Sequence, residues 1–86
     1  MKIHPLPEST LPEGTIIVLK EEAVKWLGNI IMPRRLRKVV SDRTTTIFTH
    51  SLSGHSNYGE WDKDDIEGYI EAADVDKFIM WENLSK

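Results

Sequence analysis

The chain contains no cysteine in 86 residues. That absence excludes disulfide staples, thiolate-bound zinc and thiol nucleophiles together, and it fits a reducing compartment. Long hydrophobic runs are missing too. Ile16-Ile17-Val18-Leu19 and Phe78-Ile79-Met80-Trp81 are the longest, whereas a membrane span needs about twenty apolar residues. The opening residues, Met1-Lys2-Ile3-His4-Pro5-Leu6-Pro7, lack the apolar core of a secretory signal. Asn83-Leu84-Ser85 therefore matches the glycosylation pattern idly. There are no internal repeats and no low-complexity tract. No nucleotide, metal or catalytic motif is specific enough to name a reaction. The expectation is a cytoplasmic protein that uses no cofactor and is not an enzyme.

What is present is an ordered globular composition, 40% hydrophobic and 29% charged, enough for one modest core and one domain spanning residues 1–86. The charge is unevenly laid out. Residues 1–43 hold eight Lys and Arg against five acids, a balance of +3; residues 44–86 hold three Lys against nine acids, a balance of −6. The positive charge concentrates in Pro33-Arg34-Arg35-Leu36-Arg37-Lys38 and the negative in Glu60-Trp61-Asp62-Lys63-Asp64-Asp65-Ile66-Glu67. Oppositely charged faces steer and orient partners.

Pro5, Pro7 and Pro12 make residues 1–13 an extended arm, which Leu6 and Leu11 can anchor. Thr15–Lys20 reads as a strand. Glu21–Met32 admits two readings. One is a short helix with acids in its first turn and Gly28 as terminator. The other, favoured because seven residues is short for a helix, is a hairpin of Val24–Leu27 and Ile30–Met32 about Gly28-Asn29. Arg37–Ser41 and Thr44–His50 form a second hairpin about Asp42-Arg43. Its period is imperfect, since adjacent Ile47 and Phe48 point to opposite faces. Ser51–Gly59 is a loop by composition. Asp62–Ala73 reads as a short helix, with Ile66, Tyr69, Ile70 and Ala73 at helical spacing, and Asp76–Trp81 as a closing strand. The fold expected is a small α+β domain dominated by antiparallel strands, with one short helix in the C-terminal half.

Two surfaces stand out as partner-binding candidates. Arg34, Arg35, Arg37 and Lys38 can contact phosphates, with Trp26, Phe48 or Tyr58 as stacking partners. The bland reading is a solvated turn paired with the chain's own acids, and a net charge of −3 favours it. Trp61, ringed by Glu60, Asp62, Asp64 and Asp65, resembles an interface anchor, or else a plug at a strand end. The acids do not make a calcium loop: counting from Asp62, the fifth position is Ile66 and the glycine falls seventh. His50, His55 and Asp62 lack the converging ligands of a metal site and the nucleophile of a hydrolytic triad.

Leu11-Pro12-Glu13-Gly14-Thr15 leading into Ile16–Leu19, with Lys77-Phe78-Ile79-Met80-Trp81 closing on an aromatic strand, resembles small uncharacterised phage and prophage domains. Those open on a Leu-Pro-Glu turn and close on a tryptophan strand. The resemblance covers Leu11–Leu19 and loosely Tyr58–Leu84, and it departs where Glu82-Asn83-Leu84 stands in place of prolines. It implies a phage-type accessory or host-modulating protein and transfers no functional residue.

The sequence thus points to a non-enzymatic interaction protein that binds a protein partner through Trp61 and its acids, with Arg34–Lys38 as a second contact. The alternative is a nucleic-acid-binding regulator that uses the basic segment. Complementary charge on one small chain also suggests a homodimer, its Trp61 at the centre.

Overall fold

The strand β1, Ile16–Leu19, has every side chain buried. A strand that is apolar on both faces must lie inside a sheet with cover on each side, and β1 does. The computed structural model describes residues 2–25, 33–54 and 56–84. β1 pairs antiparallel with β2 (Leu36–Asp42) on one side and with β5 (Ile66–Ile70) on the other. β3 (Thr46–Ser51) and β4 (Gly59–Asp62) extend the sheet beyond β2, giving the order β4-β3-β2-β1-β5. A helix, α2 (Val75–Leu84), follows β5. The domain is α+β and dominated by antiparallel strands, as the sequence suggests.

The hairpin expected over Arg37–His50 is β2–β3, turning through residues 43–45. Arg43 N–H donates to Thr46 O at 2.8 Å, and Thr44 takes a positive φ of 74°. Glu21–Val24 is one helical turn, α1, so the favoured hairpin reading fails at Val24. The rest of that hairpin, with Trp26, lies outside the described residues. β4 has no counterpart in the sequence pattern, where Gly59–Asp62 falls between a loop and a helix.

Larger corrections fall in the C-terminal third. Asp62–Ala73 is not a helix. After a 3₁₀ turn at Lys63–Asp65 it becomes β5. Asp76–Trp81 is not a strand but the body of α2, preceded by a 3₁₀ turn at Ala72–Asp74. Val75, Phe78, Ile79 and Glu82 recur at helical spacing and turn inward, while Met80, Trp81 and Leu84 face out. The closing tryptophan strand of the phage-domain resemblance is therefore a helix.

The two faces of β1 serve two cores. Ile17 and Leu19 pack with Leu11, Val24, Val39, Ile47 and Ile66. Ile16 and Val18 pack with Leu36, Ile70 and Phe78, beneath α2. The arm is tied down at two places. His4 and Tyr69 exchange both backbone hydrogen bonds, at 2.8 and 2.9 Å, and Leu11 N–H donates to Asp42 Oδ2 at 3.0 Å. Gly68 lies directly under this crossing. A Cβ there would come within 2.1 Å of His4 O, so no other residue fits without moving the arm.

Candidate functional site

Three of the four cations in the basic segment point inward. Arg34, Arg35 and Arg37 are buried. Arg34 Nη2 donates to Glu21 Oε1 at 3.0 Å. Arg35 Nε donates to Leu19 O at 2.8 Å and Nη2 to Glu67 Oε1 at 3.2 Å. Its Nε also lies 3.9 Å from Glu82 Oε2, and its guanidinium lies 5.4 Å from the Phe78 ring centroid. Arg37 Nε donates to Thr49 Oγ1 at 3.1 Å, and its Nη2 donates to Asn57 O. Burial lowers the Arg37 pKa. Lys38 is half-buried, opposite His50. The segment expected as an outward basic face is largely an interior strut, with acids from α1, β5 and α2 neutralising Arg34 and Arg35.

The acidic segment does face outward. Glu60, Asp62 and Asp64 are exposed, and Asp65 is half-buried. Trp61 between them is half-buried and packs against the Ile17–Ile47 core, which realises the plug reading. Its Nε1 is buried and finds no hydrogen-bond partner among the described residues. The basic and acidic stretches meet inside one chain, Arg35 with Glu67 at 3.2 Å. That pairing removes the charge argument for a homodimer.

Turning three arginines inward changes the character of the surface. Among the described residues, Lys2, Lys25, Arg43 and Lys77 are the exposed cations, against ten exposed carboxylates. The exposed charges of the described residues are therefore predominantly acidic.

One patch on this surface combines aromatics with charge. Directly paired residues share a sheet face, so the pairing Ile16–Lys38–His50 carries the α2 side of the sheet across to β3. Phe48, two residues from His50, is on that face too, paired with Glu60 of β4. The Tyr58 ring, 52% exposed, stacks on Phe48 with centroids 5.6 Å apart. His50 meets Tyr58 edge-on at 5.7 Å. From the β2–β3 turn, the Arg43 guanidinium lies over the Phe48 ring, 4.6 Å from its centroid, and Nη1 reaches Glu60 Oε2 at 3.4 Å. The Thr46 hydroxyl donates to the same Glu60 oxygen at 2.5 Å. These contacts, Thr46 first and Arg43 after it, outweigh burial and hold the Glu60 pKa below the usual carboxylate range. A shallow recess lined by Thr44, Thr45, Asp62, Lys63 and Asp64 lies beside the turn.

In the sequence, Phe48 and Tyr58 stand out only as stacking candidates, and nothing singles out Arg43. The available signal was the broken alternation at Ile47-Phe48: Ile47 is core, and Phe48 is therefore an aromatic on the opposite, open face. His50 is buried, and His55 lies outside the described residues. No group of three or more metal-ligating side chains comes together among the described residues, and none of the described helices is long and apolar enough to cross a membrane. Comparison with family models, curated proteins and solved structures finds no match to this chain.

Proposed function

We propose that this chain is a non-enzymatic binding module whose acidic and aromatic β3–β4 face takes a basic segment of another protein. The observation that carries the reading is the acidic excess among the exposed charges of the described residues. Arg34, Arg35 and Arg37 are buried, and the exposed aromatic Tyr58 leads into a stretch whose Glu60, Asp62 and Asp64 are exposed. Such a surface attracts cations and repels phosphate over most of its area. Tyrosine supplies rigid contact area at low entropic cost, and the flanking acids supply orientation.

Nucleic-acid binding through the basic segment is the competing reading, and the burial of three of its four cations weighs against it. The test is a titration of the intact chain with a lysine- and arginine-rich peptide, a glutamate-rich peptide of equal length and a single-stranded oligonucleotide. We expect binding of the basic peptide alone, weakened by salt and by Tyr58→Ala. Tighter binding of the oligonucleotide would reverse the order of the two readings.

A further inference from the structure

We propose that the β4 edge is an open strand-pairing site for an extended peptide, and that Arg43 occupies in advance the place of an arginine that such a peptide brings. This inference rests on the function proposed above and names the site's occupant.

The two edges of the sheet differ. β5 is covered where His4 pairs with Tyr69. β4 ends the strand order, and among the described residues no strand lies on its outer side. An uncovered edge offers its backbone to an added strand, and pockets on either face then select side chains. The acids of β4, Glu60 and Asp62, discourage pairing with another acidic chain and favour a cationic one.

The register specifies where the cation falls. Phe48 of β3 is paired with Glu60 of β4. A residue on an added strand opposite Glu60 shares that face, with Cβ atoms roughly 5 Å apart. An arginine there reaches the Glu60 carboxylate and the Phe48 ring, the groups that Arg43 now touches at 3.4 and 4.6 Å, with Tyr58 stacked on Phe48. The site is already shown to accept a guanidinium, because it holds one. Arg43 comes from a turn in which Thr44, a β-branched residue, takes φ 74°. Its side chain is half exposed and is tethered only through the turn, so an incoming arginine can displace it.

A resident at this strength lowers apparent affinity modestly. An exposed cation–π contact of the usual size means that removing Arg43 strengthens binding of an arginine-bearing peptide about two- to fivefold. The experiment titrates short β-forming peptides, identical except for Arg or Gln at the centre, into ¹⁵N-labelled wild type, Arg43→Gln and Glu60→Gln. Amide shifts report both the fold and the site. We expect shifts along β4 and at Phe48 and Tyr58, tighter binding of the Arg peptide to Arg43→Gln, no change for the Gln peptide, and no Arg preference in Glu60→Gln. Equal binding of both peptides to wild type and Arg43→Gln, or shifts confined to α2, overturns the subsite. If a basic peptide still binds more tightly than an acidic one in that case, the broader function stands. If neither binds, both fall.

Discussion

Replacing Arg35 by Met removes a buried cation while keeping much of its stem volume, and it isolates what the buried arginines contribute. The Arg35 side chain is 8% exposed, and its carboxylate partners differ in environment: Glu67 and Glu21 are 42% and 53% exposed, Glu82 only 7%. The two exposed partners return to water at a cost of about 0–1 kcal/mol each. Glu82 cannot. Its Oε2 already lacks a hydrogen-bond partner among the described residues, and without Arg35 it becomes a buried, uncompensated carboxylate beside Phe78. Breaking such a pair costs about 3–5 kcal/mol. A small domain holds roughly 5–15 kcal/mol in total, so Arg35→Met is expected to stand near the margin of folding at neutral pH. Urea unfolding measures this, with a slope for small proteins of about 1–3 kcal/mol per molar. Arg35→Met/Glu82→Leu removes both charges from the same interior, where an apolar pair is often as stable as an ionic one. The double variant is therefore expected to recover most of the loss, with a coupling of about 2 kcal/mol or more. A loss below about 1 kcal/mol for Arg35→Met, or a double variant equal to the sum of the singles, would refute the reasoning.

Gly68→Ala is expected to cost about 1–3 kcal/mol and to free the arm, read as faster amide exchange at His4 and Tyr69. Thr44→Gly relieves a positive φ in a β-branched residue and is expected to stabilise by about 1 kcal/mol, a rise of roughly 4–8 °C in Tm. Asp42 is pushed up by burial, but the Leu11 and Thr44 N–H groups and the Lys63 ammonium outweigh that and hold its pKa below the ordinary value. Its contribution is present above the unfolded-state pKa of about 3.9 and is lost as pH falls through the lower folded value. Asp42→Asn should accordingly be less stable at neutral pH and lose less stability on acidification, measured by thermal melts from neutral pH down to about pH 2.

The strands β1, β2 and β3 are legible because β-branched runs and turn residues coincide there. The C-terminal third misleads for a specific reason. A register shift between Val18 and Leu19 inserts an extra residue in β5, so Ile66 and Tyr69 pack on one core and Ile70 on the other. A bulged strand thereby imitates helical spacing. In α2 the opposite happens. Met80, Trp81 and Leu84 are apolar on the outer side, which blurs the 3.6-residue period and leaves a short unbroken apolar run that reads as a buried strand. The charge asymmetry was visible from the start, but not its direction. Arginines default to the surface, and Arg34 and Arg35 are drawn inward by Glu21, Glu67 and Glu82, partners from three elements dispersed along the chain.

The position of β5 also governs the order in which the fold can form. β1 finds β2 early, through Ile16 and Lys38, but its other neighbour arrives only with Ile70. The arm must wait longer, because His4 docks on Tyr69, and that contact closes most of the chain into a loop. Local pairing of β1 through β4 can proceed on its own, and the entropy of the long closure is recovered only when β5 arrives. Until then one edge of β1 stands bare, and a growing or refolding chain is at its most adhesive. β5 is thus the latch and the arm is the pin through it. An opening that begins at either end of the chain releases the other.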